Sequence, residues 1–210
     1  FIAIGSKEPA SPLPKINGNA KPNVINLIED YLLKDAKGKK EIVGHRVVVL
    51  GSSHGTELAI SLSHNKDVTV LEESAQAGFA PYISLTVSRV LALNEYIEEK
   101  NLKVRSGVKA EMIVDSGVQI INENGNSEVV PADTVILASE RDSNRSLSKS
   151  IREKFGTNDN MRGVGEWGHY VGLRLEVNGK DCECFEVGDC VEPKTCKEAI
   201  HSAAYFARMI

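Results

Sequence analysis

A glycine turn followed by an acidic residue is the feature of this sequence that most directly suggests chemistry. The turn is the run Gly51, Ser52, Ser53, His54 and Gly55. Glycines in such a turn let the backbone approach a pyrophosphate, and the free N–H groups at the start of the next helix bind its charge. Glu72 follows about 20 residues later, at the spacing where an acid accepts hydrogen bonds from an adenine ribose. The pattern predicts a dinucleotide site, and Glu72 favours NAD(H) over NADP(H) because a carboxylate repels a 2′-phosphate.

The glycine pattern of this turn is incomplete. Dinucleotide-binding turns read G-x-G-x-x-G, whereas Ser53 stands here in place of the second glycine. The position of the third glycine falls on Gly55 if one residue of the pattern is deleted, and otherwise on Thr56. His54 could contact a phosphate, or it could be an exposed loop histidine. The alternative to a dinucleotide site is therefore a βαβ unit that holds no cofactor and serves structure or assembly.

Cysteines form the second group of candidate residues, and all of them lie near the end of the chain: Cys182, Cys184, Cys190 and Cys196. Their C-x-C spacing differs from the C-x-x-C of zinc sites and dithiol redox centres. A disulfide scaffold would instead spread its cysteines along a short secreted chain. We expect four reduced structural thiols and predict no metal site. Another hypothesis for the chain is a relative of the disulfide reductases that uses cysteine chemistry, and the absence of C-x-x-C disfavours it.

The segments on either side of the turn predict an α/β fold. Arg46–Leu50 (RVVVL) and Val68–Leu71 (VTVL) are apolar β-branched runs, which are typical of strands buried on both faces. Residues 56–64 between them carry apolar side chains at helical spacing. A strand, a glycine turn, a helix and a second strand that ends in an acid form the beginning of a Rossmann-like unit.

Further elements extend this unit. Residues 83–99 predict an amphipathic helix, and Val104 begins a third strand. Three short alternating runs, separated by hairpin-turn residues, predict a three-stranded antiparallel meander, and a buried strand follows it. The runs are residues 108–114, 117–122 and 127–131, and the strand is residues 133–138.

The remaining segments are less regular. Residues 1–6 (FIAIGS) predict a buried strand that ends in a glycine turn, and the proline-rich residues 9–22 predict an extended connector. Residues 34–45 resemble a surface loop or hairpin. Short helices are expected at residues 24–33 and about 145–154, with a last helix over about 195–210.

Composition excludes several classes of protein. The 210 residues carry a net charge of −4, whereas a broad nucleic-acid-binding surface usually brings a basic excess. No apolar run approaches the roughly 18–20 residues that span a bilayer, and no signal-peptide pattern is visible. We therefore expect no nucleic-acid or membrane partner and a cytoplasmic location. Because the chain begins at Phe1, we expect it to be a fragment of a larger protein.

Four segments of the chain together resemble one known family. They are Ile2–Pro9 (IAIGSKEP), Arg46–Glu72, Pro131–Asn144 (PADTVILASERDSN) and Val187–Ile200 (VGDCVEPKTCKEAI). In order and spacing they are similar to the carboxy-terminal FAD/NAD(P)-binding region of old-yellow-enzyme-type flavin oxidoreductases. This group includes the 2,4-dienoyl-CoA reductases, the enoate reductases and the NADH oxidases.

The resemblance implies a division into three parts. Residues 1–45 would be the end of a discontinuous FAD-type domain and its crossover connector, residues 46–138 the NAD(P)-binding domain, and residues 139–210 the return segment and closing FAD-type element. It adds cofactor-binding candidates, with Asp189 facing the flavin ribitol: Gly5, Ala138, Gly188 and Asp189.

The resemblance also implies a function. The chain would be the nicotinamide-dinucleotide-binding fragment of a flavin-dependent NADH oxidoreductase and would pass hydride equivalents to flavin. Its partner would be an upstream catalytic flavin domain of the same parent chain, so no catalytic residue is expected within these residues. NAD(H) and FAD would both serve the parent protein, but the fragment would not retain FAD because the first FAD glycine turn is missing.

The chain departs from the pattern of this family at three places. Glu140 stands where the family has a glycine, and Ser143 stands where it has a proline. Residues 156–183 resemble an insertion between the return helix and the Gly188-Asp189 element. A carboxylate at Glu140 would face any nearby phosphate unfavourably.

Overall fold

We describe the chain from a computed structural model. It describes residues 1–7, 16–27, 31–32, 42–51, 53–73, 87–122, 124–138, 141–155, 159–165, 168–177, 179–194 and 196–208. The chain divides into two compact units. The sheet unit is Ser11–Ser139, and the terminal unit combines Phe1–Ala10 with Glu140–Ile210.

The described elements alternate strands and helices, and a meander interrupts them. In chain order they are β1 (Ser6–Lys7), β2 (Val24–Asn26), β3 (Arg46–Leu50), α1 (Ser53–Leu62), β4 (Asp67–Glu72), α2 (Val87–Glu99), β5 (Lys103–Ser106), β6 (Lys109–Val114), β7 (Gly117–Ile121), β8 (Ser127–Pro131), β9 (Thr134–Leu137), β10 (Asp142–Ser143), α3 (Ser146–Phe155), β11 (Asp159–Gly165), β12 (Gly168–Val177), β13 (Lys180–Glu186), a 3₁₀ turn (Gly188–Cys190) and α4 (Cys196–Ala207).

The sheet unit is built on a five-stranded parallel sheet with the strand order β2-β9-β3-β4-β5. One face of the sheet packs Val47 and Val49 against Leu58 and Ala59 of α1. The other face is covered by the meander β6-β7-β8. Because both faces are buried, the strands read as continuous apolar runs rather than as alternating ones. The predicted α/β, Rossmann-like fold with a three-stranded meander is confirmed.

The prediction of a helix over residues 24–33 is wrong for its beginning. Val24–Asn26 is an edge strand of the parallel sheet and pairs with β9. Ile25 is fully buried there, and Leu27 is nearly so. Pairing with a strand more than 100 residues away outweighs the local helical spacing of these apolar residues. Residues 28–30 and 33 lie outside the described part of the chain.

The segment before β2 also differs from a free connector. Residues 9–15 lie outside the described part, but Asn17 forms a parallel bridge with Met112 of the meander. Gly18 packs so closely that a Cβ there would lie 2.2 Å from the carbonyl oxygen of Ile113. Residues 16–27 therefore belong with the sheet unit.

The terminal unit contains the antiparallel sheet β11-β12-β13 and the helices α3 and α4. Phe185 of β13 packs on Phe206 of α4, with their ring centroids 4.5 Å apart. Both helices lie where the sequence predicted them. The predicted insertion at residues 156–183 holds the hairpin strands β11 and β12 and the start of β13.

Candidate functional site

The turn between β3 and α1 depends on Gly51. Its φ is +112°, and a Cβ at this position would lie 2.5 Å from the carbonyl oxygen of Ala138. Its N–H donates to the carbonyl of Leu71 at 3.3 Å, and the N–H of Ala138 donates to the carbonyl of Leu50 at 2.8 Å. The ends of β3, β4 and β9 therefore meet around a position that only glycine fills without strain.

Gly55 allows α1 to approach the sheet. A Cβ there would lie 2.7 Å from the Cβ of Ala138 and 2.9 Å from Cγ1 of Val49. This close packing of helix on strand is what the third glycine of a dinucleotide turn provides. Of the two residues that the sequence left open for that position, Gly55 has this geometry, whereas Thr56 is simply buried.

The first turn of α1 supplies backbone N–H groups at this edge of the sheet. The helix runs over 10 residues from Ser53, and the first four N–H groups of a helix have no partner within it. His54 is exposed in this turn. No acidic side chain lies in the turn, where it would compete with an anion for the N–H groups. Ser52 lies outside the described residues, as does the side chain of Ser53.

Glu72 is the last residue of β4 and lies at the same edge of the sheet as Gly51. In the pairing of β3 with β4, Leu50 is opposite Leu71, so Gly51 and Glu72 are the next residues along each strand. Glu72 is 8 % exposed, and its carbonyl accepts a hydrogen bond from the N–H of Val108 at 3.2 Å. Glu73 is exposed. One acidic side chain at this edge is thus held inside the fold while its neighbour faces solvent.

The edge that carries Gly51 is also a topological switch point. From β3 the chain proceeds through β4 to β5 on one side, whereas β9 and β2 lie on the other side. Ala138 directly follows β9 and contacts the turn there. In open α/β sheets, ligands bind in the crevice at the carboxyl ends of the strands, where the strand order reverses. Gly51, Gly55, Glu72 and Ala138, which the sequence singled out, are brought together at this edge of the sheet.

The other predicted cofactor residues lie in the terminal unit. Gly5 has a φ of +70°, and a Cβ there would meet nothing within 4 Å. Gly188 begins the 3₁₀ turn after β13 with a φ of +72°, and its N–H donates to Oγ of Ser202 at 3.0 Å. Asp189 is half-buried and accepts from the N–H of Lys194 at 3.4 Å. Gly188 and Asp189 thus lie in a turn at the end of β13, and Asp189 provides its carboxylate.

The cysteines are all free in the structure. The thiol of Cys190 is buried and donates to the carbonyls of Val187 at 3.1 Å and Ile2 at 3.3 Å. Burial raises the pKa of the Cys190 thiol and that of Cys184. A raised pKa reduces the thiolate fraction, which is the nucleophilic form. These two thiols therefore have the character of structural residues rather than redox residues.

One buried carboxylate was not anticipated from the sequence. The side chain of Glu186 is fully buried at the end of β13, and neither of its oxygens accepts a hydrogen bond from the described residues. Among the described residues, Nη1 of Arg145 lies 4.0 Å from Oε2, which is beyond hydrogen-bonding distance. No sequence signal marks Glu186, because nothing in its local pattern distinguishes it from an exposed strand residue.

Comparison with protein families gives one decisive match. The model of the pyridine nucleotide-disulphide oxidoreductases matches residues 1–203. The chain belongs to this family. A search of curated protein sequences finds no match. No helix in the described part of the chain is long and apolar enough to cross a membrane.

Several solved structures share the fold of the chain. A 2-naphthoyl-CoA reductase in complex with 2-naphthoyl-CoA is 24% identical with a TM-score of 0.66, and the match covers 96% of this chain and 25% of that one. An NAD-dependent persulfide reductase from A. fulgidus is 25% identical with a TM-score of 0.52, over 80% of this chain and 29% of that one.

A water-forming NADH oxidase from Lactobacillus brevis, bound to NADH, is 22% identical with a TM-score of 0.50, over 70% of this chain and 31% of that one. The family member described here thus spans between a quarter and a third of the length of these structures.

Proposed function

We propose that the chain is the nicotinamide-dinucleotide-binding part of a flavin-dependent NADH oxidoreductase. The observation that carries this proposal is the arrangement of the glycines at the end of β3. Gly51 and Gly55 both pack closely on Ala138 there, so that the turn that begins α1 lies at the same sheet edge as Glu72. Family membership supports the same function, since its members are oxidoreductases of pyridine nucleotides.

Different residues at this edge of the sheet would bind different parts of the dinucleotide. The first N–H groups of α1 would bind the pyrophosphate, helped by the positive end of the helix dipole. Glu72 would accept hydrogen bonds from the adenine ribose, and its charge would disfavour a 2′-phosphate. Bound NADH supplies a hydride, and the chain's task is to hold and orient the nucleotide for its transfer to flavin.

The finer assignment concerns the parent protein. The four segments similar to old-yellow-enzyme-type reductases support a parent that reduces an enoyl or dienoyl substrate through an upstream flavin domain. In that setting Gly188 and Asp189 would approach FAD, because they form a positive-φ turn with a carboxylate at the end of a strand. This assignment places the protein in the cytoplasm, with the dinucleotide and the upstream domain as its partners.

Calorimetric titration with NADH and NADPH tests the proposal. The wild type should bind NADH more tightly than NADPH. A hydrogen bond to a charged group contributes about 1.5–3 kcal/mol, so Glu72→Ala should lose about 10- to 150-fold in NADH affinity. Glu73→Ala is the matched control, because its carboxylate is adjacent in sequence but exposed, and its affinity should be unchanged.

Three results would count against the proposal. Equal affinity of the wild type for the two nucleotides, or a larger loss from Glu73→Ala than from Glu72→Ala, would contradict the role of Glu72. Binding of neither nucleotide would favour the alternative, a degenerate Rossmann-like domain with a structural or assembly role and no cofactor.

A further inference from the structure

An ion pair joins α1 to α2 within the sheet unit. Nε of Arg89 donates to Oε1 of Glu57 at 2.8 Å, and Nη2 donates to the same oxygen. Glu57 belongs to α1, and Arg89 belongs to the first turn of α2. Ile60 of α1 also packs against Val90 and Leu93 of α2. The first turn of α2 is therefore held beside the first half of α1.

Glu57 is the first acidic residue of α1 and lies close to the N–H groups that begin this helix. It is the fifth residue of α1, so its Cα lies about 6 Å along the helix axis from that of Ser53. Side chains of an α-helix lean toward its N-terminus, and Glu57 therefore covers the turn that contains His54. A carboxylate in this position would repel an anion that the helix dipole otherwise attracts.

This repulsion would reach a pyrophosphate at the start of α1. The side chain of Glu57 is 34% exposed and that of Arg89 is 39% exposed, so water screens their charges only in part. The Debye length is about 10 Å at 0.1 M salt, which exceeds the separation of about 6 Å along the helix. An arginine that donates directly to the carboxylate offsets its charge toward any ligand on the first turn of α1.

We propose that Arg89 is a positioning residue that keeps the start of α1 favourable to an anion by neutralising Glu57. The inference rests on the proposed function, because the anion concerned is the pyrophosphate of NADH. Arg89 acts through Glu57 and needs no contact with the nucleotide. Ion pairs exposed to this degree contribute little to stability, so the effect on binding is expected to exceed the effect on folding.

Titration with NADH and with inorganic pyrophosphate tests the proposal, first at about 0.02 M salt, where charges are screened least. Arg89→Gln leaves Glu57 uncompensated, Arg89→Lys keeps the positive charge, and the double variant Glu57→Gln with Arg89→Gln removes both charges. Arg46→Gln is the matched control. Arg46 also donates through Nε and Nη2 to one carboxylate oxygen, that of Asp133, but it begins β3 at the opposite edge of the sheet.

Arg89→Gln should weaken the binding of both ligands about 2- to 10-fold at low salt, because charges near a helix N-terminus act with about this strength. The loss should shrink as the salt concentration rises to about 0.5 M, since salt screens the repulsion. Arg89→Lys, the double variant and Arg46→Gln should bind as the wild type does. Glu57→Gln alone should bind at least as tightly, and it still tests the proposal if Arg89→Gln does not fold.

A double variant that binds as weakly as Arg89→Gln would overturn the proposal, because Arg89 would then act on the ligand without Glu57. A loss of affinity in Glu57→Gln, or a loss in Arg89→Gln that is equal at low and high salt, would overturn it as well. The two ligands separate this inference from the proposed function. Pyrophosphate binding with the expected dependence on Arg89, but without NADH binding, would refute the proposed function alone. A wild-type protein that binds neither ligand would refute both.

Discussion

Replacing Gly51 by alanine should destabilise the sheet unit at the turn between β3 and α1. Gly51 has a φ of +112°, and a Cβ there would lie 2.5 Å from the carbonyl oxygen of Ala138. Gly125 offers a matched control in the same unit, because its φ is +77° and a Cβ there would meet nothing within 4 Å. The two substitutions add the same methyl group to two positive-φ glycines that differ in the space around them.

The expected losses of stability differ for that reason. A left-handed backbone costs a non-glycine residue about 1–2 kcal/mol, which is the whole effect expected for Gly125→Ala. Gly51→Ala adds an overpacking term of about 1–3 kcal/mol, for a total of about 2–5 kcal/mol. The carbonyl of Ala138 cannot simply withdraw, because the N–H of this residue is hydrogen-bonded to Leu50.

Urea unfolding followed by circular dichroism measures both losses, and calorimetry with NADH measures the effect on the turn. Gly51→Ala should lose the larger free energy of unfolding and should also bind NADH more weakly, whereas Gly125→Ala should bind as the wild type does. Equal losses of stability in the two variants would refute the reasoning, since the contact with Ala138 would then contribute nothing.

Two further predictions concern charge and thiols. Hydrogen bonds from Arg46 lower the pKa of Asp133 from 3.8 to about 2, so this carboxylate contributes stability above its unfolded pKa and loses it as the pH falls toward 2. Asp133→Asn should therefore be less stable than the wild type near neutral pH, and urea unfolding should show that difference shrinking between about pH 4 and pH 2; a constant difference would contradict the assignment. Titration of the denatured, unreduced protein should find four thiols, and a count of two would reveal a disulfide and revive a redox role for the cysteines.

The parallel sheet could be predicted because its central strands are buried on both faces. The runs Arg46–Leu50 and Val68–Leu71 carry that signal within a few residues. The strand Val24–Asn26 carries no such signal, since its apolar residues continue at helical spacing and only the distant pairing with β9 decides its structure. The local sequence pattern predicted the strands that are buried on both faces. It did not predict the strand whose conformation depends on pairing with a distant part of the chain.

In the candidate site, too, some residues could be predicted from local spacing and others depend on contacts between distant parts of the sequence. Gly51 and Glu72 could be found from their spacing, because a strand, a helix and a second strand require a fixed number of residues. The choice between Gly55 and Thr56 needed the contact with Ala138, which is distant in sequence. Glu186 could not be found at all, because nothing in its local sequence marks the burial of its carboxylate.

A crystal structure of the chain with NADH tests the central claim most directly. We predict that the pyrophosphate lies at the N-terminus of α1 next to Gly51, with adenine ribose oxygens about 2.5–3.0 Å from the carboxylate of Glu72. A nucleotide bound away from the carboxyl ends of β3 and β4, or a crevice closed by a side chain of the turn with no nucleotide in it, would contradict the account.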